Sequence, residues 1–175
     1  MTYNPPYWYY GKVDFPQDEI DQVIDSFKGS SKNSGNNYSS YYDNFTNISV
    51  WNDNYHNIVQ DIVIQQGLYT YFKYVYEYWG QLYTKGCEHD WHNHYRCGDN
   101  EAVLSFVHWI KNSNEPNFRF INLDTKESHI PKQEEGDLIV FPSWVFHKVT
   151  PNDSDKKRFV IAGNIKLINP PDKDT

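Results

Sequence analysis

From residue 80 onward the chain is cut into short runs that suit strands and not helices. Aromatic and β-branched residues fill each run, and Gly, Pro, Asn or Asp closes it. The breaks fall at Gly86, Gly98, the segment NSNEPN (112–117), Glu135-Gly136-Asp137 and Pro151-Asn152-Asp153. This spacing predicts strands near 81–85, 90–96, 102–110, 117–122, 138–141, 145–149 and 157–167. Many short strands with regular breaks predict a sandwich or barrel.

Helical patterns come earlier. Ile20, Val23, Ile24 and Phe27 recur at helical spacing over 17–28, with Asp18 and Glu19 in the first turn and Gly29 just beyond the end. A longer helix is predicted over 57–78, with Ile58, Ile62, Tyr69, Phe72, Tyr76 and Trp79 on one face. The first ten residues read as an extended arm lying on a surface. Residues 29–56 are rich in Ser, Asn, Gly and Tyr without a period, so they read as a long loop, either a plain connection or a substrate-binding lid. Helices first and strands after give an α+β fold, mainly β, with the N-terminal helices backing one sheet. The 175 residues fit a single domain: arm, helices and loop over 1–78, and a β core over 79–167.

Composition narrows the function. Aromatic residues make up 18% of the chain, which excludes global disorder. No run approaches the roughly 20 apolar residues of a membrane-spanning helix. Basic residues number 16 against 23 acidic, a net charge of −7, so a nucleic-acid partner is not expected. The start of the chain shows no secretory signal pattern, which leads us to expect a cytoplasmic protein with reduced Cys87 and Cys97.

Three of the seven histidines crowd into HDWHNH (89–94). Alternate residues of a strand face one way, so His92 and His94 would present two imidazoles to one side. That arrangement can chelate a metal once a third ligand joins from elsewhere. His147 is the candidate, set between Val145 and Val149 after the apolar run Leu138–Phe141. Arg158 shares a strand face with Val160 and Ala162, residues that normally look inward. An inward guanidinium calls for an anion, and its planar fork suits a carboxylate; the competing reading is a strand-end Arg turned to solvent. A zinc site built from Cys87, Cys97 and His is the other metal reading, although two reduced cysteines in a sheet would also account for them.

Four segments carry a resemblance: WGQLYTKG (79–86), WHNH (91–94), EEGDLIVFPSWVFHKVTPN (134–152) and KKRFVIAGNI (156–165). Together they resemble the iron(II)- and 2-oxoglutarate-dependent dioxygenases, in the prolyl-4-hydroxylase-like branch that includes small oxygenases encoded by phages. The resemblance covers about half the chain and implies a double-stranded β-helix, a jelly-roll variant. It implies Fe(II), 2-oxoglutarate and dioxygen as cofactors, with ascorbate as an auxiliary reductant. It also implies a peptide or protein substrate, proline-rich in character, and release of succinate and carbon dioxide. By the same resemblance His92 is the first iron ligand and His147 the distal one. Arg158 holds the far carboxylate of 2-oxoglutarate, Tyr83 touches the same molecule, and Asn164 supports the pocket.

The chain departs from the family at one position. The usual set is two histidines and one carboxylate, His-x-Asp/Glu followed by His. Here the sequence reads His92-Asn93-His94. The third ligand is expected to be His94, with Asp90 as its rival and Asp99 as a further carboxylate. Trp91, Trp109 and Trp144 are candidates for pocket walls, and His108 for a donor behind the ligands. Two other readings remain: a cupin-like three-His dioxygenase that does not use 2-oxoglutarate, and a non-catalytic metal-binding β-domain.

Overall fold

A computed structural model describes residues 6–27, 38–39, 52–65, 73–95, 102–113 and 115–168. Among them are two helices, α1 (Gln17–Ser26) and α2 (Asn52–Gln65), and ten strands. The strands are β1 (Tyr9–Lys12), β2 (Tyr38–Ser39), β3 (Lys73–Tyr83), β4 (His89–His92), β5 (Ala102–Lys111), β6 (Phe118–Ile121), β7 (Ser128–His129), β8 (Asp137–Pro142), β9 (His147–Val149) and β10 (Arg158–Ile168). They form a six-stranded sheet in the order β1-β8-β5-β10-β3-β2 and a four-stranded sheet in the order β4-β9-β6-β7. Every pairing is antiparallel. Two facing antiparallel sheets with this strand order make a double-stranded β-helix, as expected.

Strand alternation divides the apolar residues between two cores. On β5, Leu104, Phe106 and Ile110 face one way, as do Leu138 and Val140 of β8 and Phe159, Ile161 and Ile165 of β10. They pack with Val23 of α1 and with Tyr55 and Ile62 of α2, so the helices do back the large sheet. The opposite parity, Val107, Trp109, Ile139, Phe141 and Val160, meets Phe118, Phe120 and Val149 of the small sheet. Each fully buried aliphatic or Phe side chain contributes about 1.5–3 kcal/mol. Gly163 is needed where β10 passes under Phe106, because a Cβ there would run into that ring. Gly136 takes φ +85° in the turn that opens β8, a conformation that side chains disfavour.

Two expected elements are corrected. The helix over 57–78 is instead α2 over 52–65 and the start of β3 at Lys73. The stretch KYVYEYWGQLY pairs with β10 residue for residue, from Ile168↔Lys73 to Arg158↔Tyr83. Its Tyr, Val and Trp content is that of a strand. Apolar residues at nearly every position also satisfy a helical template, which hid the period of two. The strand expected over 90–96 ends at His92. The arm proves to include an edge strand, β1, paired with β8. Of the 29–56 loop, the described part is β2 and the start of α2. No helix among the described residues is long and apolar enough to cross a membrane.

Candidate metal centre and anion pocket

β4 and β9 are neighbours in the small sheet, with His92 opposite His147. Between His89↔Val149 and His92↔His147, β4 spends three steps where β9 spends two, which is a β-bulge. The extra residue puts His89 and His92 on one face, their rings stacked at 3.9 Å. It also leaves Asp90 exposed, with its Oδ1 accepting from the Trp91 N–H at 2.7 Å. Asp90 is not in the group formed by His92, His94 and His147, although its charge acts on His92.

His94 lies past the end of β4 and is not held by the ladder. Its backbone N–H donates to the Ser143 carbonyl at 2.8 Å, which folds it back over the large sheet. The ligand nitrogens of His92, His94 and His147 lie within 4.8 Å of one another. Each imidazole has its Nδ1 committed elsewhere. Nδ1–H of His92 donates to the Asp90 carbonyl at 2.7 Å, and that of His147 to the Val145 carbonyl at 2.9 Å. His94 Nδ1 sits 2.7 Å from Asn164 Oδ1 and 2.9 Å from Ser105 Oγ. An N–H on Nδ1 leaves the lone pair on Nε2, so Nε2 is the atom each ring has free to ligate.

Burial, more than any other influence, holds the pKa of His147 well below the usual histidine value, with His92 and His94 adding to it. Burial also lowers His92, partly offset by its bond to the Asp90 carbonyl. Neutral imidazoles are the form that ligates metal. The donor set, its geometry and its tautomers therefore fit a divalent transition metal with nitrogen ligands.

Arg158 opens β10 on the wall of the same cavity, 1% exposed. Its Nε, Nη1 and Nη2 have no hydrogen-bond partner among the described residues. The guanidinium carbon stands 5.2 Å from the centre of the Tyr83 ring. Desolvation lowers its pKa to about 10, which still leaves it charged at neutral pH. A buried cation whose three nitrogens, with five N–H donors, find no partner among the described residues has the chemistry of an anion receptor. Tyr83, fully buried, donates its hydroxyl to Gln81 Oε1 at 2.6 Å, and both line the cavity with Arg158.

Asn164 stands behind His94 and does not line the cavity; its Nδ2–H donates to Glu77 Oε1 at 3.3 Å. Sequence reasoning overlooked Glu77 and Ser105. Only the strand pairing Glu77↔Asn164↔Ser105 exposes them as one row. It also overlooked His89 and Trp79, both on the cavity wall. The tryptophans chosen from sequence sit elsewhere. Trp91 lies under Lys148 Nζ at 5.0 Å, Trp109 fills the core between the sheets, and Trp144 is exposed. His108 points away from the cavity, towards the helices, where it accepts from the Tyr55 hydroxyl at 2.6 Å. Cys87 is buried, with its Sγ 3.1 Å from Thr84 Oγ1, while Cys97 and Asp99 lie outside the described residues.

Comparison with known proteins bears on this geometry. The family model described as "Putative 2OG-Fe(II) oxygenase" matches residues 96–164, a stretch holding His147, Arg158 and Asn164. No curated protein matches the chain by sequence. Among solved structures, a Pseudomonas putida prolyl-4-hydroxylase superposes with a TM-score of 0.67 at 19% identity, covering 91% of each chain. The viral collagen prolyl hydroxylase of Paramecium bursaria Chlorella virus-1, in its 2-oxoglutarate complex, gives 0.64 at 17%, covering 92% of this chain and 97% of that one. The Trichoplax adhaerens prolyl hydroxylase, in complex with a hypoxia inducible factor peptide fragment, gives 0.63 at 10%, covering 87% and 76%. At these identities the structures establish the fold. The chain thus resembles the 2-oxoglutarate- and iron(II)-dependent oxygenases in sequence signature over residues 96–164, and shares its fold with prolyl hydroxylases. The cofactors of that family are Fe(II), 2-oxoglutarate and dioxygen.

Proposed function

We propose that this chain, an oxygenase of the prolyl-hydroxylase-like kind, hydroxylates a peptidyl residue, proline foremost, and releases succinate and carbon dioxide. The observation that carries the reading is the buried Arg158 guanidinium, its three nitrogens unpartnered among the described residues, on the wall of a cavity where three imidazoles meet. Nε2 of His92, His94 and His147 would hold the iron. Arg158, backed by the Tyr83 ring, would take the far carboxylate of 2-oxoglutarate. Bound iron with 2-oxoglutarate and dioxygen supplies the oxidising chemistry, while the protein binds, orients and shelters. Val107, Phe118, Val149, Val160 and Ala162 give that cavity an apolar lining, which keeps water from competing. The substrate would be a soluble peptide or protein met in the cytoplasm, the host's if a phage encodes the chain. The single-domain division into an N-terminal part over 1–78 and a catalytic core over 79–167 belongs to the same proposal.

The test is succinate formation from 2-oxoglutarate with Fe(II) and proline-containing peptides, read alongside a peptide mass gain of one oxygen atom. His147→Ala should abolish both signals. No decarboxylation with any such peptide, together with no thermal shift on adding 2-oxoglutarate, would overturn the reading. One observation favours a second reading, the cupin-like dioxygenase without 2-oxoglutarate: all three proposed ligands are neutral histidines. Arg158→Ala separates the two, since only the first loses its co-substrate affinity.

A further inference from the structure

We infer that Asn164 is a positioning residue for the metal site, fixing the tautomer and aim of His94 and tying it to the Glu77 carboxylate outside the ligand set. This rests on the three-histidine metal reading and goes beyond it.

His94 needs such help more than its two companions. His92 and His147 sit on paired strands, and their Nδ1–H groups donate to main-chain carbonyls of their own segments, two residues away. His94 lies beyond β4, and its Nδ1 faces side chains from a different sheet. Those side chains come from a row across the large sheet: Glu77 on β3, Asn164 on β10 and Ser105 on β5. Asn164 is 7% exposed and Ser105 fully buried, so water does not substitute for them readily.

The row has a direction. Glu77 Oε1, which also pairs with Lys166 Nζ at 3.2 Å, can only accept. The Asn164 amide must therefore turn its Nδ2–H to Glu77, a contact of 3.3 Å. That aims Oδ1 at His94 Nδ1, 2.7 Å away, and Ser105 Oγ–H donates to the same oxygen at 2.9 Å. An acceptor facing Nδ1 requires the proton to reside there. The lone pair then lies on Nε2, towards His92 and His147. Glu77 sets the amide, the amide sets the tautomer, and the tautomer makes His94 a ligand. The carboxylate absent from the ligand set thus reappears two hydrogen bonds behind the third imidazole, where it makes that imidazole a stronger donor.

The experiment uses the full chain and Co(II) as the metal, with affinity and visible ligand-field spectrum as readouts that do not depend on turnover. Asn164→Leu should weaken Co(II) about 10–100-fold, the usual effect of losing such a partner. It should also remove one of three hyperfine-shifted, exchangeable imidazole N–H resonances. The decisive variant is the exchange Glu77→Gln with Asn164→Asp. It moves the charge to position 164, keeps an acceptor facing His94, and supplies an amide donor at position 77. Glu77→Gln alone should weaken Co(II), because an amide at position 77 no longer forces the Asn164 amide to turn its oxygen to His94. The exchange should restore affinity to the parent's or above, with all three N–H signals. A purely packing role predicts neither the loss nor the recovery, since both changes are isosteric. An unchanged Asn164→Leu spectrum and affinity would overturn the inference, as would an exchange variant that binds Co(II) weakly. If Asn164→Leu does not fold, the comparison of Glu77→Gln with the exchange variant decides, and equal Co(II) affinity in the two would overturn the inference. Failure of the underlying reading looks different: the parent itself would then bind Co(II) no more tightly than its His147→Ala variant.

Discussion

Arg158 is the residue whose environment makes the sharpest demand. An unpaired buried cation destabilises a fold, because desolvation is not repaid by a partner. Arg158→Met should therefore leave the metal- and ligand-free protein as stable as the parent or raise its midpoint in urea. Saturating 2-oxoglutarate with a divalent metal should reverse the order. At a hundredfold excess over Kd the parent gains about 2.7 kcal/mol, and the variant gains only what the metal alone gives. Parallel urea titrations with and without 2-oxoglutarate check both halves. Asp90 makes the opposite case. Its side chain is exposed and already caps the Trp91 N–H, so Asp90→Asn should leave Co(II) affinity within about twofold, whereas His94→Ala should lower it well over tenfold. Isothermal titration distinguishes the two, and a large loss in Asp90→Asn would restore it as a ligand. In the sequence, Asp90 and His94 stand symmetrically two places either side of His92. Only the bulge breaks that symmetry, and a bulge has no signature in HDWHNH. Arg158, by contrast, was legible because its strand neighbours Val160 and Ala162 announce an inward face.

Elements meet at His108. It sits on β5, accepts from Tyr55 of α2 through Nδ1 and donates through Nε2 to the Val13 carbonyl at 2.8 Å, in the segment joining β1 to α1. One neutral imidazole thus links α2 and the segment leading into α1 to the large sheet. Burial lowers its pKa to about 4, although Asp14 and Asp137 act the other way. An unfolded histidine titrates near 6.5, so between about pH 6.5 and pH 4 the unfolded chain takes up a proton that the folded chain refuses. Stability should be fully retained above that window and fall on acidification through it, by about 3 kcal/mol from this group. His108→Gln, which keeps one donor and one acceptor, should flatten that acid limb. The clustered histidines push in the same direction in both proteins, so the difference between them isolates His108. Equal pH slopes in urea unfolding would refute the assignment. At this scale the later strands were readable from their breaks, since Gly86 and Gly136 do take positive φ in turns. β3 was not, because TYFKYVYEYW offers an apolar residue at helical and strand spacing alike, and only its pairing with β10 decides.

Across the whole molecule, the site is a seam between the two sheets. The small sheet provides His92 and His147; the large one provides Arg158, Tyr83 and, behind His94, the row of Ser105, Asn164 and Glu77. Most of the remaining contact between the sheets is apolar packing around Phe118, Phe120, Phe141 and Trp109. A metal held by β4 and β9, together with an anion held by β10, would therefore clamp one sheet to the other. The small sheet should be the part that opens most easily in the empty protein, because β4 and β9 are short and bulged while β3 and β10 pair over their full length. Loading with Zn(II) and 2-oxoglutarate should slow amide exchange chiefly in β4 and β9, and at the Arg158 end of β10, leaving β5 and β8 nearly unchanged. The midpoint should rise by about 5–10 °C for a gain of roughly 2.7 kcal/mol, and a chelator should remove the whole increment. Protection spread evenly over both sheets would mean that the ligands stabilise without bridging. Protection confined to β10 would mean that the histidines of the small sheet do not take part in binding.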